Sequence, residues 1–244
     1  MNESSLGGQL ISSLSNATVK QIRALRHRKE RDEAGTFFVE GIRLVGEALQ
    51  MGASIQSLIV APELLNSDFG QRLVTEQKAA GTHILGVTPD VFASFSSKDG
   101  PQGLAAVVHQ NWTPLEQLQL GQELWVALDE VADPGNLGTI MRTADAVGAS
   151  GVILIGRCTD PYDPSAVRAS MGSIFAMTLV RVTYEEFQTW KRTFHYPVVG
   201  ASGTGSVDYQ EIRYPRPLVV LSGSEREGLH PELLALCDHL VRIP

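Results

Sequence analysis

The sequence predicts an α/β protein in which a small domain is followed by a larger domain built on a parallel sheet. Its 244 residues exceed one average domain and allow a sizeable hydrophobic core. Short apolar segments alternate with amphipathic segments, which is typical of strands that alternate with helices. The segments Val152–Ile155 and Leu218–Leu221 are apolar at every position, as expected for parallel strands covered on both faces. Residues 111–122 include Trp112, Pro114 and three glutamines, and this segment is predicted to link the two domains.

The first predicted domain spans residues 15–110 and follows a small, polar segment, residues 1–14, that we expect to be flexible. Caps, apolar periodicity and glycine stops define its elements. In chain order they are a helix capped by Ser15 or Asn16 and running through Leu25 into the basic stretch Lys20–Arg31, a strand at Phe37–Val39, a helix at Gly41–Met51, a strand at Ile55–Val60, a helix at Phe69–Ala80, a strand at His83–Val87, a short helix at Pro89–Phe95 and a strand at Gly103–Val108.

The second predicted domain spans residues 123–244 and repeats the alternation with strands that are more uniformly apolar. Such strands, separated by helices, predict a parallel sheet with helices on both faces. The predicted strands are Leu124–Leu128, Gly151–Ile155, Thr178–Val182, Pro197–Ala201, Leu218–Gly223 and Leu240–Ile243, and the predicted helices are Leu137–Val147, Ala166–Phe175, Tyr184–Phe194 and Pro231–Cys237.

Several classes of protein are excluded by composition and spacing. Two cysteines, Cys158 and Cys237, form no Cys-x-x-Cys pair, which excludes a zinc ribbon and a disulfide scaffold. The six histidines lack metal-ligand spacing, so no metal site is predicted. No apolar run approaches the roughly 18–20 residues of a membrane span, and no signal-peptide pattern begins the chain. We therefore expect a cytoplasmic protein with neither a membrane nor a metal partner.

The net charge of −7 is divided unequally and does not exclude a nucleic-acid partner. Residues 1–115 have a net charge of −1 and residues 116–244 a net charge of −6. The stretch Lys20–Arg31 holds six basic residues and one acid. On a helix, Arg23, Arg26 and either Lys29 or Arg31 would form one basic ridge. This ridge is either a patch that contacts phosphates or a solvated helix end whose cations favour the helix dipole.

Two loops at the ends of predicted strands carry the residues best suited to chemistry. The first reads DEVADPGNLGTIMR from Asp129 to Arg142 and passes from a buried strand into a helix, with Asn136 at or near the helix cap. Arg142 is a permanently charged fork suited to phosphate. The second loop, in the sequence LSGSEREGL, brackets polar residues between Gly223 and Gly228, so its backbone N–H groups are expected to be available to a polar ligand. Both loops lie where open α/β sheets bind ligands.

The runs DPGNLGTIMRTADAVGASGVIL and LVVLSGSEREGLHPELLALCDHLVRIP closely resemble motifs 1 and 2 of the SpoU/TrmH-type RNA ribose 2′-O-methyltransferases of the SPOUT superfamily. The segments FFVEGIRLVGEAL and QGLAAVV resemble the L30e-like substrate-binding domain that precedes the catalytic domain in that family. The resemblance implies methyl transfer from S-adenosylmethionine to a ribose 2′-hydroxyl of structured RNA, with ribosomal RNA favoured over tRNA. It also implies an α/β trefoil knot and a homodimer.

Residues of this chain that match the family motifs define the expected site. Arg142 matches the catalytic arginine, Asn136 its motif partner, and Glu225 the glutamate of motif 2. We expect Arg142 to orient an RNA phosphate and the ribose, because a guanidinium with a pKa above about 12 is a poor base. The expected cofactor pocket comprises Ala201, Leu221, Gly223, Gly228 and Ile243, and the expected RNA contacts are Arg23, Arg26, Lys29, Arg31, Arg168 and Ser170. For Arg168 and Ser170, a structural role at a helix start is an equal alternative.

One departure from the family pattern concerns the C-terminal end of the sequence. The family continues beyond its Ile-Pro dipeptide into a third motif and a last helix, whereas this sequence ends at Ile243 and Pro244. We therefore expect a catalytic domain that is C-terminally incomplete, whose cofactor binding and dimerisation depend on that segment. The alternative function is a non-catalytic RNA- or ribosome-binding protein that retains the SPOUT fold.

Overall fold

The computed structural model of the protein describes residues 10–96, 100–118, 121–224 and 226–244. These residues form two compact units. The first unit comprises the described residues up to Gln110 together with Tyr162–Val167, and the second comprises the described residues of Asn111–Pro161 and Arg168–Pro244. Each unit has its own sheet and its own hydrophobic core.

The first unit is built on a mixed four-stranded sheet. Its strands are β1 (Thr36–Glu40), β2 (Ile55–Val60), β3 (Ile84–Gly86) and β4 (Leu104–His109), and its helices are α1 (Ala17–Ala24), α2 (Arg28–Ala34), α3 (Ile42–Gln50), α4 (Asp68–Ala79) and α5 (Pro89–Ala93). The strand order is β1-β4-β2-β3, in which β4 is antiparallel to both neighbours and β3 is parallel to β2. Of the two predicted caps, Ser15 and Asn16, it is Asn16 that caps α1, and its side chain accepts hydrogen bonds from the N–H groups of Thr18 and Val19.

The basic stretch does not form one continuous helix, because the chain turns between Ala24 and Arg28 to bury Leu25. Arg31, in α2, is only 1% exposed. Its Nη1 donates to the carbonyl oxygens of Leu25 and Arg26, both at 2.9 Å, and its Nη2 lies 3.6 Å from the carboxylate of Asp163. The guanidinium thus donates hydrogen bonds to carbonyl groups that have no helical partner at the end of α1. The prediction that Arg31 belongs to an exposed RNA-binding ridge is wrong, since these buried acceptors take up its donors.

The second unit is a seven-stranded sheet in which every pair of neighbours is parallel. Its strands are β5 (Leu124–Asp129), β6 (Gly151–Ile155), β7 (Thr178–Val182), β8 (Val198–Ala201), β9 (Val207–Asp208), β10 (Leu218–Ser222) and β11 (His239–Arg242). The helices that follow the linker are α6 (Pro134–Ala146), α7 (Pro164–Ala169), α8 (Tyr184–Phe194) and α9 (Pro231–Leu234), and the first four residues of α7 belong to the first unit. Strand order is β7-β6-β5-β10-β8-β11-β9. The predicted α/β fold class with a parallel sheet is confirmed.

The predicted helix at Ala166–Phe175 is interrupted. Helix α7 ends at Ala169, and a single 3₁₀ turn follows at Ser173–Phe175. Between them Met171 and Gly172 have φ of 53° and 106°, a left-handed conformation that no α-helix can continue. Ser170 is completely buried at this break (0% exposed). The prediction of Ser170 as an RNA contact is therefore wrong, and the alternative structural role fits its position.

Within the described ranges, no helix combines the length and the apolar character that crossing a membrane would require. The longest one, α6, has 13 residues, fewer than the roughly 20 that span a bilayer.

Replacing Arg31 with methionine should lower the free energy of unfolding by about 2–4 kcal/mol, because one buried and one half-buried carbonyl group lose their donor. Urea unfolding followed by circular dichroism measures the change. Arg28→Met is the matched control: Arg28 is exposed and pairs with Asp32 at 3.7 Å, so its loss should cost less than about 0.5 kcal/mol. Equal and small effects of both substitutions would contradict the structural role of Arg31.

Candidate active site

The candidate site lies where β5 and β10 run side by side. Residue Leu128 of β5 is in register with Ser222 of β10, so the two strands end at the same edge of the sheet. From β5 the chain proceeds outward to β6 and β7, and it then returns to the other side of β10 as β8. This reversal is a topological switch point, and ligands of open α/β sheets bind outside the carboxyl ends of strands at such points.

The loop after β5 enters α6 through a cap that the sequence did not predict. Asp133, rather than Asn136, is the N-cap, and its side chain accepts from the N–H of Asn136 at 2.7 Å. Pro134 occupies the first turn, where its missing N–H costs nothing. Asn136 is thus exposed in the first turn of the helix, and Arg142 is exposed further along it. Six residues of helix separate the two by about 9 Å along the axis.

The loop after β10 closes on itself through its backbone. Ser224 and Gly228 exchange N–H···O hydrogen bonds of 3.0 and 3.1 Å, and the N–H of Glu227 donates to the Ser224 hydroxyl at 3.2 Å. A Cβ atom on Gly223 would come within 2.0 Å of the Gly228 carbonyl carbon, so only glycine permits this approach. The expectation that these N–H groups are available to a ligand is wrong for Ser224, Glu227 and Gly228, because the loop uses them internally.

The two loops line one cleft of about 710 Å³. Its described lining residues are Glu130, Ala132, Asp133, Asn136, Ser224, Arg226 and Glu227. The fold therefore brings Asn136 to the second loop, as the sequence predicted, whereas Arg142 is not among those described residues. Glu225, predicted as a catalytic residue, lies outside the described residues.

The expected cofactor residues gather at the carboxyl ends of three strands. Ala201, the last residue of β8, is in register with Ser222 of β10 and Val241 of β11. Gly223 follows β10, and Ile243 follows β11 with 73% of its surface exposed. The side chain of Leu221 is completely buried in the core, so only its main chain can face a ligand.

A buried carboxylate that the sequence analysis did not single out lies between the two loops. Asp129, the last residue of β5, is 2% exposed. Its Oδ1 accepts from the Tyr184 hydroxyl and its Oδ2 from the N–H of His230, both at 2.7 Å. The sequence did contain one indication of this site: Asp129 is a carboxylate at the end of an otherwise apolar strand. A carboxylate buried at such a position requires hydrogen-bond partners.

The remaining predicted RNA contacts lie in different places. Arg23 and Arg26 donate to the carbonyl oxygens of Leu14 and Ser94, and Lys29 is exposed beside Glu33 at 3.7 Å. These three belong to the first unit. Arg168 is exposed in the second unit, and its role in RNA binding stays a prediction.

Nucleophilic cysteine chemistry is not supported by either thiol. Burial raises the pKa of Cys158 and of Cys237 to about 11, so both remain protonated near neutral pH. Within the described residues, no group of three or more His, Cys, Asp or Glu side chains is placed to hold a metal ion.

Comparison with known proteins identifies the family to which this fold and this site belong. A model described as the SpoU rRNA Methylase family matches residues 123–244, and one described as the MRM3-like substrate binding domain matches residues 16–106. The 23S rRNA (uridine(2479)-2'-O)-methyltransferase of Streptomyces viridochromogenes is 32% identical over 94% of this chain and 82% of its own length. The 23S rRNA (guanosine(2553)-2'-O)-methyltransferase RlmP of Bacillus subtilis is 30% identical over 96% of this chain and 90% of its own.

A solved structure of an rRNA methyltransferase from Sinorhizobium meliloti with bound AdoMet is 42% identical, with a TM-score of 0.88 over 97% of this chain and 88% of that one. The parallel sheet, its switch-point cleft and these similarities define an RNA methyltransferase with a substrate-binding domain at its N-terminal end. The chain belongs to the SpoU rRNA methylase family. The predicted enzyme class, an S-adenosylmethionine-dependent RNA 2′-O-methyltransferase, is confirmed.

Gly223→Ala should destabilise the second unit by about 1–3 kcal/mol, since the added methyl group forces the Gly228 backbone away. Gly203→Ala is the matched control, because a Cβ at Gly203 meets no atom within 4 Å. Thermal unfolding of both variants, followed by near-ultraviolet circular dichroism, measures the difference. A Gly223→Ala variant as stable as Gly203→Ala would show that the loop after β10 does not have this closed backbone.

Proposed function

We propose that the chain transfers a methyl group from S-adenosylmethionine to a ribose 2′-hydroxyl of ribosomal RNA. One observation carries the proposal: the loops after β5 and β10, which contain the two family motifs, meet in one cleft at the switch point of the parallel sheet. A shared cleft allows one loop to hold the acceptor while the other lies beside the donor. Holding two reactants together in this way is the main contribution an enzyme makes when the donor is already activated.

Ribosomal RNA is the proposed substrate because the names of the similar proteins specify 23S rRNA. Both relatives named above are 23S rRNA 2′-O-methyltransferases by name, and the matching family is the SpoU rRNA methylase family. We propose that residues 15–110 bind this RNA, that residues 111–122 are the linker and that residues 123–244 carry the chemistry. The match of the first domain to a substrate-binding domain supports this division.

The residues at the ends of β8, β10 and β11 fit the proposed cofactor. Gly223 offers main-chain atoms without a side chain, and Ile243 offers an exposed apolar surface of the kind that covers an adenine ring. Ala201 lies between them in register. We propose that these residues, with the main chain of Leu221 and Gly228, hold S-adenosylmethionine, whose sulfonium supplies an activated methyl group.

The chain's own residues then orient the attacking oxygen. We propose that Arg142 binds an RNA phosphate beside the target ribose and so favours ionisation of the 2′-hydroxyl, while Asn136 directs the ribose toward the cleft. Glu225 is proposed to support the same site. In the overall reaction the ribose oxygen gains the methyl group, the sulfur keeps the electron pair of the broken bond, and the hydroxyl proton passes to solvent.

We further propose that the protein is a cytoplasmic homodimer whose catalytic domain forms the trefoil knot of its family. The resemblance to the family, which implies a knot and a homodimer, supports this proposal. Sedimentation velocity of the purified chain tests the dimer directly.

Arg142→Lys should lower kcat about 10-fold or more, because lysine keeps the charge but loses the planar fork. The assay supplies radiolabelled S-adenosylmethionine and unmodified ribosomal RNA, and it maps alkali-resistant linkages, which mark 2′-O-methylation. Arg192→Lys, an exposed arginine on α8, is the control and should retain full activity.

Undiminished turnover by Arg142→Lys would contradict the proposed role of Arg142. If the wild-type protein binds ribosomal RNA but produces no resistant linkage, the alternative of a non-catalytic RNA-binding protein is supported instead.

Replacing both Arg26 and Lys29 with alanine should weaken RNA binding and lower the magnitude of the slope of log K against log salt by about 0.7–0.9 for each phosphate that the protein no longer neutralises. Filter binding at several salt concentrations measures the slope. The matched control replaces Arg72 and Lys78, two exposed basic residues of α4, and should leave the slope unchanged. Equal slopes for the two double variants would favour the solvated helix end over the phosphate-binding patch.

A further inference from the structure

The carboxylate of Asp129 is placed to control the geometry of the cleft without lining it. A carboxylate that is 2% exposed is costly to bury, and an apolar side chain at this position would stabilise the fold more cheaply. Both of its hydrogen-bond donors, the Tyr184 hydroxyl and the His230 N–H, are neutral groups. We therefore looked for the role of Asp129 in the two loops that its carboxylate oxygens link.

Through its hydrogen bond with the His230 N–H, Asp129 is linked to the loop after β10. His230 follows Leu229, whose side chain is buried in the core, and it is the N-cap of α9. Leu229 in turn follows the closed turn between Ser224 and Gly228. The hydrogen bond from His230 to Asp129 thus fixes the point at which this loop returns to the sheet.

Through the chain itself, Asp129 is also joined to the loop after β5, which begins at the next residue. Glu130, the next residue, lines the cleft and has φ of 49°, a conformation that is uncommon outside glycine. Its N–H donates to the Ile155 carbonyl at 3.3 Å, and the N–H of Thr159 donates to the Val131 carbonyl at 2.8 Å. Asp129 therefore joins a loop that is already held against the end of β6 to the loop that forms the opposite wall of the cleft.

Tyr184 holds the carboxylate in its orientation. Its ring packs against His230 with centroids 4.9 Å apart, and a Cβ on Gly156 would lie 3.0 Å from the ring. Burial, and after it the hydrogen bond to Asp129, raises the pKa of Tyr184. Its hydroxyl therefore remains a proton donor throughout the physiological range.

We infer that Asp129 is a positioning residue for methyl transfer: by anchoring the His230 N–H it sets the spacing between the two loops of the cleft, and Tyr184 orients it. The inference rests on the proposed function, since the property it controls is the binding of S-adenosylmethionine and RNA. Asp129 itself touches neither reactant.

The chain offers a control carboxylate, Asp238, which accepts a comparable pair of hydrogen bonds, although 48% of its side chain is exposed. Asp238 also accepts one backbone N–H, that of Val198 at 2.8 Å, and one side-chain donor, Lys191 at 2.7 Å. It precedes β11 and contacts the first residue of β8, so it lies at the amino ends of these strands. Loss of Asp238 therefore removes a similar set of hydrogen bonds far from the carboxyl ends that form the cleft.

Asp129→Ala should raise the Kd of S-adenosylmethionine about 10- to 100-fold, the equivalent of one charge-assisted hydrogen bond, and should lower kcat as well. Asp238→Ala should lower the melting temperature less than Asp129→Ala, because the Asp238 side chain is half-exposed, and should change that Kd less than about twofold. Asp129→Asn should restore the affinity, because its Oδ1 can accept from His230 while its Nδ2 donates to the Tyr184 hydroxyl.

Tyr184→Phe should have a smaller effect than Asp129→Ala. Calorimetric titration, steady-state kinetics and thermal unfolding of the full chain supply the values.

Amide hydrogen exchange of His230 and Gly228, followed by NMR without ligand, provides a measurement that does not depend on the proposed function. Exchange at both amides should be faster in Asp129→Ala and unchanged in Asp238→Ala. Unchanged protection in Asp129→Ala, an unchanged Kd, or an Asp129→Asn variant as weak as Asp129→Ala would each overturn the inference. If the wild-type chain neither binds S-adenosylmethionine nor methylates RNA, the proposed function fails, and hydrogen exchange still decides whether Asp129 anchors the loop.

Discussion

The parallel pairing of β5 with β10 is the constraint on which the rest of the second unit depends. These strands are distant in sequence, and their register places Leu128 beside Ser222. Because parallel strands end at the same edge, the loops that follow them must share that edge. The chain crosses from β7 to the far side of β10, and this crossing creates the switch point at which the cleft opens.

In the described residues of the two motif loops, several main-chain N–H groups are already used within the loops themselves. The loop after β10 uses the N–H groups of Ser224, Glu227 and Gly228 within itself, and Asp133 takes up the N–H of Asn136. We therefore propose that ligands are distinguished by side chains such as Asn136 and Arg226 and by the apolar surface near Ile243, together with the main chain of Leu221 and Gly223. A site of this kind holds its backbone fixed and recognises its ligands through a small number of projecting groups.

The sequence predicted most of the strands to within one or two residues, because an apolar run such as Gly151–Ile155 has few alternatives once helices flank it. It also predicted that the two motif loops would meet. It failed where tertiary partners decide the outcome. The burial of Arg31 depends on carbonyl groups exposed by a turn in the basic stretch, and the partners of Asp129 lie 55 and 101 positions away along the chain. No local pattern carries such information. The break at Met171 and Gly172 was missed because a left-handed methionine is rare.

The first unit is discontinuous in sequence, and this has a consequence for its assembly during synthesis. Its four-stranded sheet ends with β4 near Gln110, but Tyr162–Val167 also belongs to it. Within this unit Phe37 packs on Tyr162 with ring centroids 4.6 Å apart, and Arg31 pairs with Asp163. A ribosome that has just released β4 has therefore not yet supplied the groups that cover Phe37 and neutralise the buried guanidinium. Domains often fold in order from the N-terminal end as they are made, but here the first unit gains its last contacts only after β5 and β6 have also emerged.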